Sequence, residues 1–272
     1  MVKEGITTNA LNEFAHRLHV EAGARPAPLG FGKPPFPKSI CTSVNNVVCH
    51  GIPNDIPLKE GDIVSIDVSC EWDGYYGDCC AAVMIGNVAP EKRLIVEVAY
   101  ECLMRSIAIL KPGVMLCEIG NIIENYASKR GCSTVYQFTG HGIGKAFREP
   151  PEVLHFCNQV SIPLAPGMTF TIEPMINAGT AEAVIDSLDG WTARTEDGLP
   201  TAQWEHLVLI TDTGYEILTK PFNENSTIKS MQLIVQNVTA GLHKKACTSA
   251  RSDQPRSLKR WSDTRMPMKT FT

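Results

Sequence analysis

Four carboxylates and one imidazole stand out in this 272-residue chain: Asp67, Asp78, His141, Glu173 and Glu205. Three of the acids lie in apolar, strand-like runs: Asp67 in IVSIDV, Glu173 in TFTIEPMI and Glu205 in QWEHLVLI. An unpaired charge inside a protein is costly, so carboxylates in such settings need something positive among them. Scattered acids joined by a single histidine suit a pair of divalent metal ions better than a set of ion pairs. Asp78 taken alone would pass for a solvated turn residue. Its relation to Asp67 argues otherwise, because Asp73-Gly74 is a strong two-residue hairpin signal. With those two residues as the loop, Trp72 faces Tyr75 and Ser69 faces Asp78. Asp67 and Asp78 are then diagonal cross-strand neighbours on one face, roughly 7–8 Å apart at the backbone. Carboxylates at that separation can grip ions about 3.5–4 Å apart, the spacing of two-metal hydrolytic sites.

The elements that must position these groups form an internal repeat. KEGI at Lys3–Ile6 returns as KPGV at Lys111–Val114. Each is followed by a helical pattern closing on a glycine, Gly23 or Gly131. Leu11, Phe14, Ala15 and Leu18 of the first are answered by Ile119, Ile122, Ile123 and Tyr126 of the second. Further on, GDIVSID ending at Asp67 is answered by GMTFTIE ending at Glu173. Two such halves related by a pseudo-twofold axis would bring Asp67 and Glu173 to one central cleft. The second half also has a helical pattern from Pro90 to Leu110 ahead of its KPGV turn. The first half lacks that counterpart, so an apolar face near the start is expected to lie bare.

Length and composition agree with a cytoplasmic enzyme. A hydrophobic fraction of 43% fills a core, and a net charge of −4 gives no reason to invoke DNA or a membrane. Ten cysteines with no CxxC pair and no signal peptide read as free thiols in a reducing compartment. Residues 1–220 read as one domain. Residues 221–272 read as a disordered basic tail carrying Lys244, Lys245, Arg251, Arg256, Lys259, Arg260, Arg265 and Lys269, with a short apolar run at Met231–Val238.

Several segments together resemble one known family. SVNNVVCHGIP at residues 43–53, GHGIG around His141, FTIEPMIN around Glu173 and DGWTARTEDGLPTAQWEH ending at Glu205-His206 are similar to type I methionine aminopeptidases. The resemblance covers about residues 2–219 and matches all five ligand positions in type, order and spacing. It implies an α/β pita-bread fold, two pseudo-symmetric helix-plus-antiparallel-sheet halves around a central dinuclear metal site. It further implies that Asp67 chelates one ion, that Asp78 and Glu205 bridge both, and that His141 and Glu173 complete the other. The activity implied is removal of the initiator methionine from nascent peptides, with small second residues preferred, by a monomeric cytoplasmic enzyme.

An oxygen-rich set with one imidazole favours Mn²⁺, Fe²⁺ or Co²⁺. Glu173 is the candidate to shuttle a proton to the leaving amine. By resemblance His50, in VVCHGIP, contacts the substrate near the scissile peptide. Cys41, Phe147 and Trp191 stand at positions that line the methionine pocket, and Phe31 and Phe36 stand near two more. The run GFGKPPF, which holds those two phenylalanines, carries extra residues relative to the family, and the loop Pro26–Pro37 would wall the pocket. One position departs from the pattern: Arg148 stands where the family has a second catalytic histidine. Arginine can still donate to a developing oxyanion, so altered or weakened turnover is expected. Two other readings follow from the same residues. Proline-specific peptidases share the fold and ligands but not the SVN or DGWTARTEDG segments. A metal-binding pseudoenzyme or ribosome-associated module, docked through the basic tail, would suit Arg148 and the foreign ends.

Overall fold

The computed structural model describes residues 2–220. The basic tail and its Met231–Val238 run therefore lie outside the described residues. Helix α1 (Thr8–Glu21) starts where the Thr7 hydroxyl accepts a hydrogen bond from the Ala10 N–H, an N-cap that satisfies one orphan donor. It buries Leu11 and Ala15, with Phe14 and Leu18 half-buried beside them, and gives way to Gly23 at φ +67°. After it come β1 (Arg25–Pro26), β2 (Cys41–Val44) and β3 (Val47–Cys49). The long pair β4 (Ile63–Trp72) and β5 (Tyr75–Met84) follows. Both β1 and β2 pair with one edge of β4, and β5 runs along the whole of its other edge, all antiparallel.

Helix α2 (Pro90–Ala108) opens with proline, whose missing N–H is harmless in a first turn. It packs against α3 (Cys117–Ser128) through Ile95, Ala99, Cys102, Leu103, Ile119 and Ile123, all buried in one core cluster. The second half then gives β6 (Ser133–Thr134), β7 (Gly140–Gly142), β8 (Glu149–Val153), β9 (Thr169–Ile172) and β10 (Met175–Asn177). It closes with β11 (Ala183–Ile185), β12 (Ala193–Thr195), β13 (Thr201–Gln203), β14 (His206–Ile210) and β15 (Tyr215–Ile217).

Pairing shows the repeat. Strand β1 lies on β4 as β6 lies on β10, and β2 lies on β4 as β7 lies on β9. Where the first half has the unbroken hairpin β4–β5, the second has β9–β10 against β14–β13, interrupted at Glu173-Pro174 and Trp204-Glu205. Pro174 has no N–H to donate, which is why the ladder breaks there. The halves meet through a bridge between Cys80 and Glu205, with Glu205 N–H donating to the Cys80 carbonyl at 2.9 Å. Gln203 N–H also donates to Ser65 Oγ at 3.1 Å, and Trp204 packs against the cores of both halves. Among the described residues no helix precedes α1. Phe14, Leu18, Trp72, Tyr75 and Val83, packed against the core of the first half, are only partly buried.

Candidate metal centre

Asp73 and Gly74, at φ +51° and +78°, make the tight hairpin turn read from the sequence. The register is the expected one, with Trp72 opposite Tyr75 and Ser69 opposite Asp78. Asp67, opposite Cys80, is therefore diagonal to Asp78 on the same face. Glu205 arrives from the other half at the Cys80 bridge, and Asp67, Asp78 and Glu205 each present an oxygen within 4.8 Å of the others. His141 Nε2 lies 3.9 Å from Asp78 Oδ2 and 3.7 Å from Glu173 Oε1. All five residues singled out in the sequence thus converge where the two halves face each other.

Glycines on either side of His141 lie where strands β7, β8 and β9 crowd together. They make room for neighbouring strands more than for the cluster. A Cβ on Gly142 would come within 2.6 Å of the Glu149 carbonyl oxygen, and one on Gly140 within 3.1 Å of Val153 Cβ. The ladder between β7 and β8 shifts register between His141 and Gly142, and this bulge aims the imidazole. His141 Nδ1 donates to the Gly142 carbonyl at 2.9 Å, which leaves Nε2 unprotonated and free to ligate.

Burial disfavours charge on every acid here. It raises Asp67 and Glu205 well above the usual carboxylate range, with the charges of the neighbouring acids adding to it. Burial also brings Asp78 to about 6 and Glu173 to about 8. Asp67 Oδ1, Asp78 Oδ1 and Glu205 Oε1 are buried with no hydrogen-bond partner among the described residues. Carboxylates crowded together with orphaned oxygens and a ligating imidazole nitrogen need cations to complete them. The residues present therefore fit divalent metal ions.

Three further residues hold the cluster in place. Thr171 Oγ1 donates to Glu173 Oε1 at 2.8 Å and accepts from His141 N–H at 3.0 Å, tying the two together. Gln203 Nε2 donates to Glu173 Oε2 at 3.4 Å, and Glu173 N–H donates to His155 Nε2 at 3.2 Å. The sequence reading missed all three. Thr171 and Gln203 sit two residues before Glu173 and Glu205, where a strand's period of two puts them on the ligand's face. His155 carries no such signal.

His50 follows β3 with the left-handed φ of +54° and stands edge-to-face between Phe138 and Trp191, at 5.3 and 5.9 Å between centroids. Burial and then the Arg148 charge lower it to about 4, so it is neutral near pH 7. Arg148 lies at the exposed rim, with Nη2 donating to the Thr139 carbonyl at 3.3 Å. Its charge still reaches inward, favouring the ionised forms of Asp67, Asp78, Glu173 and Glu205. Aromatic contacts join the remaining pocket candidates. Phe31 meets Phe147 edge-on at 5.2 Å, Phe147 meets His141 at 6.1 Å, and Phe36 meets Trp191 at 5.4 Å. Cys41 is buried opposite Asp67 in the β2–β4 ladder.

Comparison with known proteins decides the family. Residues 1–212 match the metallopeptidase family M24. The chain belongs to that family. The methionine aminopeptidase of Chlamydia pneumoniae is 60% identical over 217 residues, which is 80% of this chain and 75% of that protein. The crystal structure of methionine aminopeptidase from Rickettsia prowazekii aligns with a TM-score of 0.77 at 46% identity, covering 79% of this chain and 87% of that one. Prolidase from Pyrococcus horikoshii, with a TM-score of 0.63 at 22% identity over 81% of this chain and 56% of its own, shares the fold. The architecture is the pita-bread fold of M24 peptidases, and the chain is a metallo-aminopeptidase dependent on divalent metal.

Proposed function

We propose that this M24 enzyme removes N-terminal methionine from nascent proteins, with two divalent ions held by Asp67, Asp78, His141, Glu173 and Glu205. The observation that carries the reading is a crowded, metal-ready carboxylate cluster beside an aromatic pocket. The relatives named methionine aminopeptidase supply the substrate class. When bound, the ions would supply Lewis acidity to the scissile carbonyl and lower the pKa of a water. Mn²⁺, Fe²⁺ and Co²⁺ match the donor set.

The chain's own residues do the rest. The methionine side chain lies among Phe31, Phe36, Cys41, Phe147 and Trp191, where rings and sulfur suit a thioether. His50, neutral and packed between two rings, contacts the substrate at the scissile peptide. Glu173 carries the proton. Its Oε1 is engaged by Thr171, and Oε2, held only by the longer contact to Gln203, is the freer oxygen. Arg148 donates to the carbonyl oxygen as it gains charge.

The proline-specific reading rests on fold alone, because the prolidase match is 22% identical. Nothing favours the pseudoenzyme reading over the enzyme, since the ligand set is complete. Cytoplasmic action as a monomer belongs to the proposal, and the ribosome contact expected of the tail concerns residues outside those described. The test is methionine release from a Met-Ala-Ser peptide by chain 1–272, loaded anaerobically with Mn²⁺ or Fe²⁺, with Arg148→His alongside. Release that stops on chelation is expected. A folded, metal-loaded chain that releases nothing, in either form, would overturn the proposal.

A further inference from the structure

Strand β11 is the outer edge of the sheet β11-β12-β3, and among the described residues no strand pairs with its far side. Its pairing with β12 shows which groups that edge presents. Asp186 N–H donates to the Thr192 carbonyl at 2.8 Å, and Glu196 N–H donates to the Glu182 carbonyl at 3.2 Å. An antiparallel ladder alternates, so Ala183 and Ile185 turn their N–H and C=O groups away from β12. Gln137 Nε2 donates to the Ala183 carbonyl at 3.3 Å, which caps the start of the edge and leaves Ile185 beyond it. Strand edges are usually blunted by lysine, proline or a bulge. Strand β11 has none of these, and Val184 and Ile185, on its opposite faces, are both exposed.

This edge lies beside the cleft. Ile185 stands opposite Ala193, and Ala193 opposite Cys49, so the three form one row across β11, β12 and β3. Cys49 is followed by His50, whose ring meets Phe138 at 5.3 Å. Phe138 and Ala183 pack on the same small core as Cys49 and Ala193. Ile185, two residues on from Ala183 and on the same face, continues that surface outward. Two strand spacings separate β11 from β3, about 9–10 Å, or about three residues of extended peptide. The surroundings are acidic: residues 180–199 carry Glu182, Asp186, Asp189, Glu196 and Asp197 against the single cation Arg194.

We propose that the free edge of β11 is a second binding site, which takes the extended peptide downstream of the cleaved bond as an added strand. The partner that fits is an unfolded chain with apolar and basic residues a few positions after its methionine. The proposal rests on the methionine-removing reading above, which puts the start of the peptide at His50. Main-chain hydrogen bonds supply affinity without demanding a sequence, which suits substrates that share only their first residue. The acids favour basic segments over acidic ones. They also disfavour a second copy of this chain, since two β11 edges side by side would bring like charges together.

The test compares Met-Ala-Ser with Met-Ala-Ser-Lys-Val-Lys-Val, and with the longer peptide N-methylated at its last four amides, on the metal-loaded full chain. Met-Ala-Ser ends short of β11 and serves as the reference. The longer peptide should show a kcat/KM about tenfold higher, carried by KM, as one or two added backbone hydrogen bonds would give. N-methylation should abolish that gain. Ile185→Pro should abolish it too while keeping the β11–β12 ladder and the melting profile, because the N–H it removes faces outward. Ile185→Ser keeps the N–H and should retain part of the gain, which covers the case of a proline variant that fails to fold. Amide exchange at Ile185 of the parent chain should slow when the longer peptide is added, a readout independent of turnover. Equal kcat/KM for the two unmodified peptides, or a gain that survives both N-methylation and Ile185→Pro, would overturn the proposal. A dimer of the parent chain that Ile185→Pro splits would assign the edge to a second copy instead. A chain that releases no methionine, yet shows slowed exchange at Ile185, would sink the functional reading and spare the site.

Discussion

In the proposed function, Glu173 is the residue on which metal binding and proton transfer meet. Burial, opposed by the Arg148 charge and aided by that of Asp78, brings it to about 8, and Thr171 and Gln203 fix its two oxygens. Glu173→Gln keeps the size and a coordinating oxygen but loses the proton carrier, so turnover should drop by about 10²–10⁴ with far less change in KM. Metal analysis of the same sample separates a lost base from a lost ion. Thr171→Val should lower metal affinity by about 10–100-fold, because it frees His141 and Glu173 from their shared hydroxyl; metal-binding calorimetry reads this directly. Asp67, Glu173 and Glu205 were legible as candidate ligands because acids in apolar runs violate the usual burial pattern, and Asp78 because the Asp73-Gly74 turn fixed its register. Thr171 and Gln203 were not, because a hydroxyl or amide in a strand breaks no rule. Arg148 was legible only as a departure, and its rim position with its charge turned inward required coordinates.

At the level of elements, local chemistry determined what could be foreseen. The β4–β5 register followed from Asp73-Gly74, because a two-residue turn admits one pairing. The three helices followed from their apolar period, and α1 and α3 also from the closing glycines Gly23 and Gly131. Pro174 marked the break between β9 and β10, whereas the short strands β11 and β12 depend on β3 of the first half and left only weak local marks. Helix α1 offers a pH test far from the metal centre. His19 is fully buried, its Nδ1 donating to the Ala15 carbonyl while Nε2 has no partner among the described residues, and burial lowers its pKa below 6.5. Between the lowered folded value and 6.5 the unfolded chain binds more protons, so stability rises with pH in that window and is lost as pH falls below 6.5. His19→Leu should therefore shrink the gap between denaturant midpoints at pH 7.5 and pH 5. An unchanged gap would place the acid sensitivity elsewhere.

For the molecule as a whole, no half holds a complete centre. Asp67 and Asp78 come from one side, and His141, Glu173 and Glu205 from the other. Metal must then stabilise the joined state. At a free-ion concentration about 100 times Kd, chelation should lower unfolding free energy by about 2–3 kcal/mol, seen as a lower melting temperature. The pseudo-twofold was readable from KEGI and KPGV and from the paired strand motifs, because duplicated elements kept their order. The seam was not, since the Cys80–Glu205 bridge and the seat of Trp204 between two cores join residues far apart in sequence. The backbone of His50 carries the last consequence. A non-glycine residue at φ +54° is held against its own preference by about 1–2 kcal/mol, and the rest of the fold must absorb that. Glycine there would relieve the tension, so His50→Gly should melt higher than the parent while cleaving far more slowly. A protein selected for endurance alone would have given this histidine up; the chain accepts a less robust body in exchange for a working cleft.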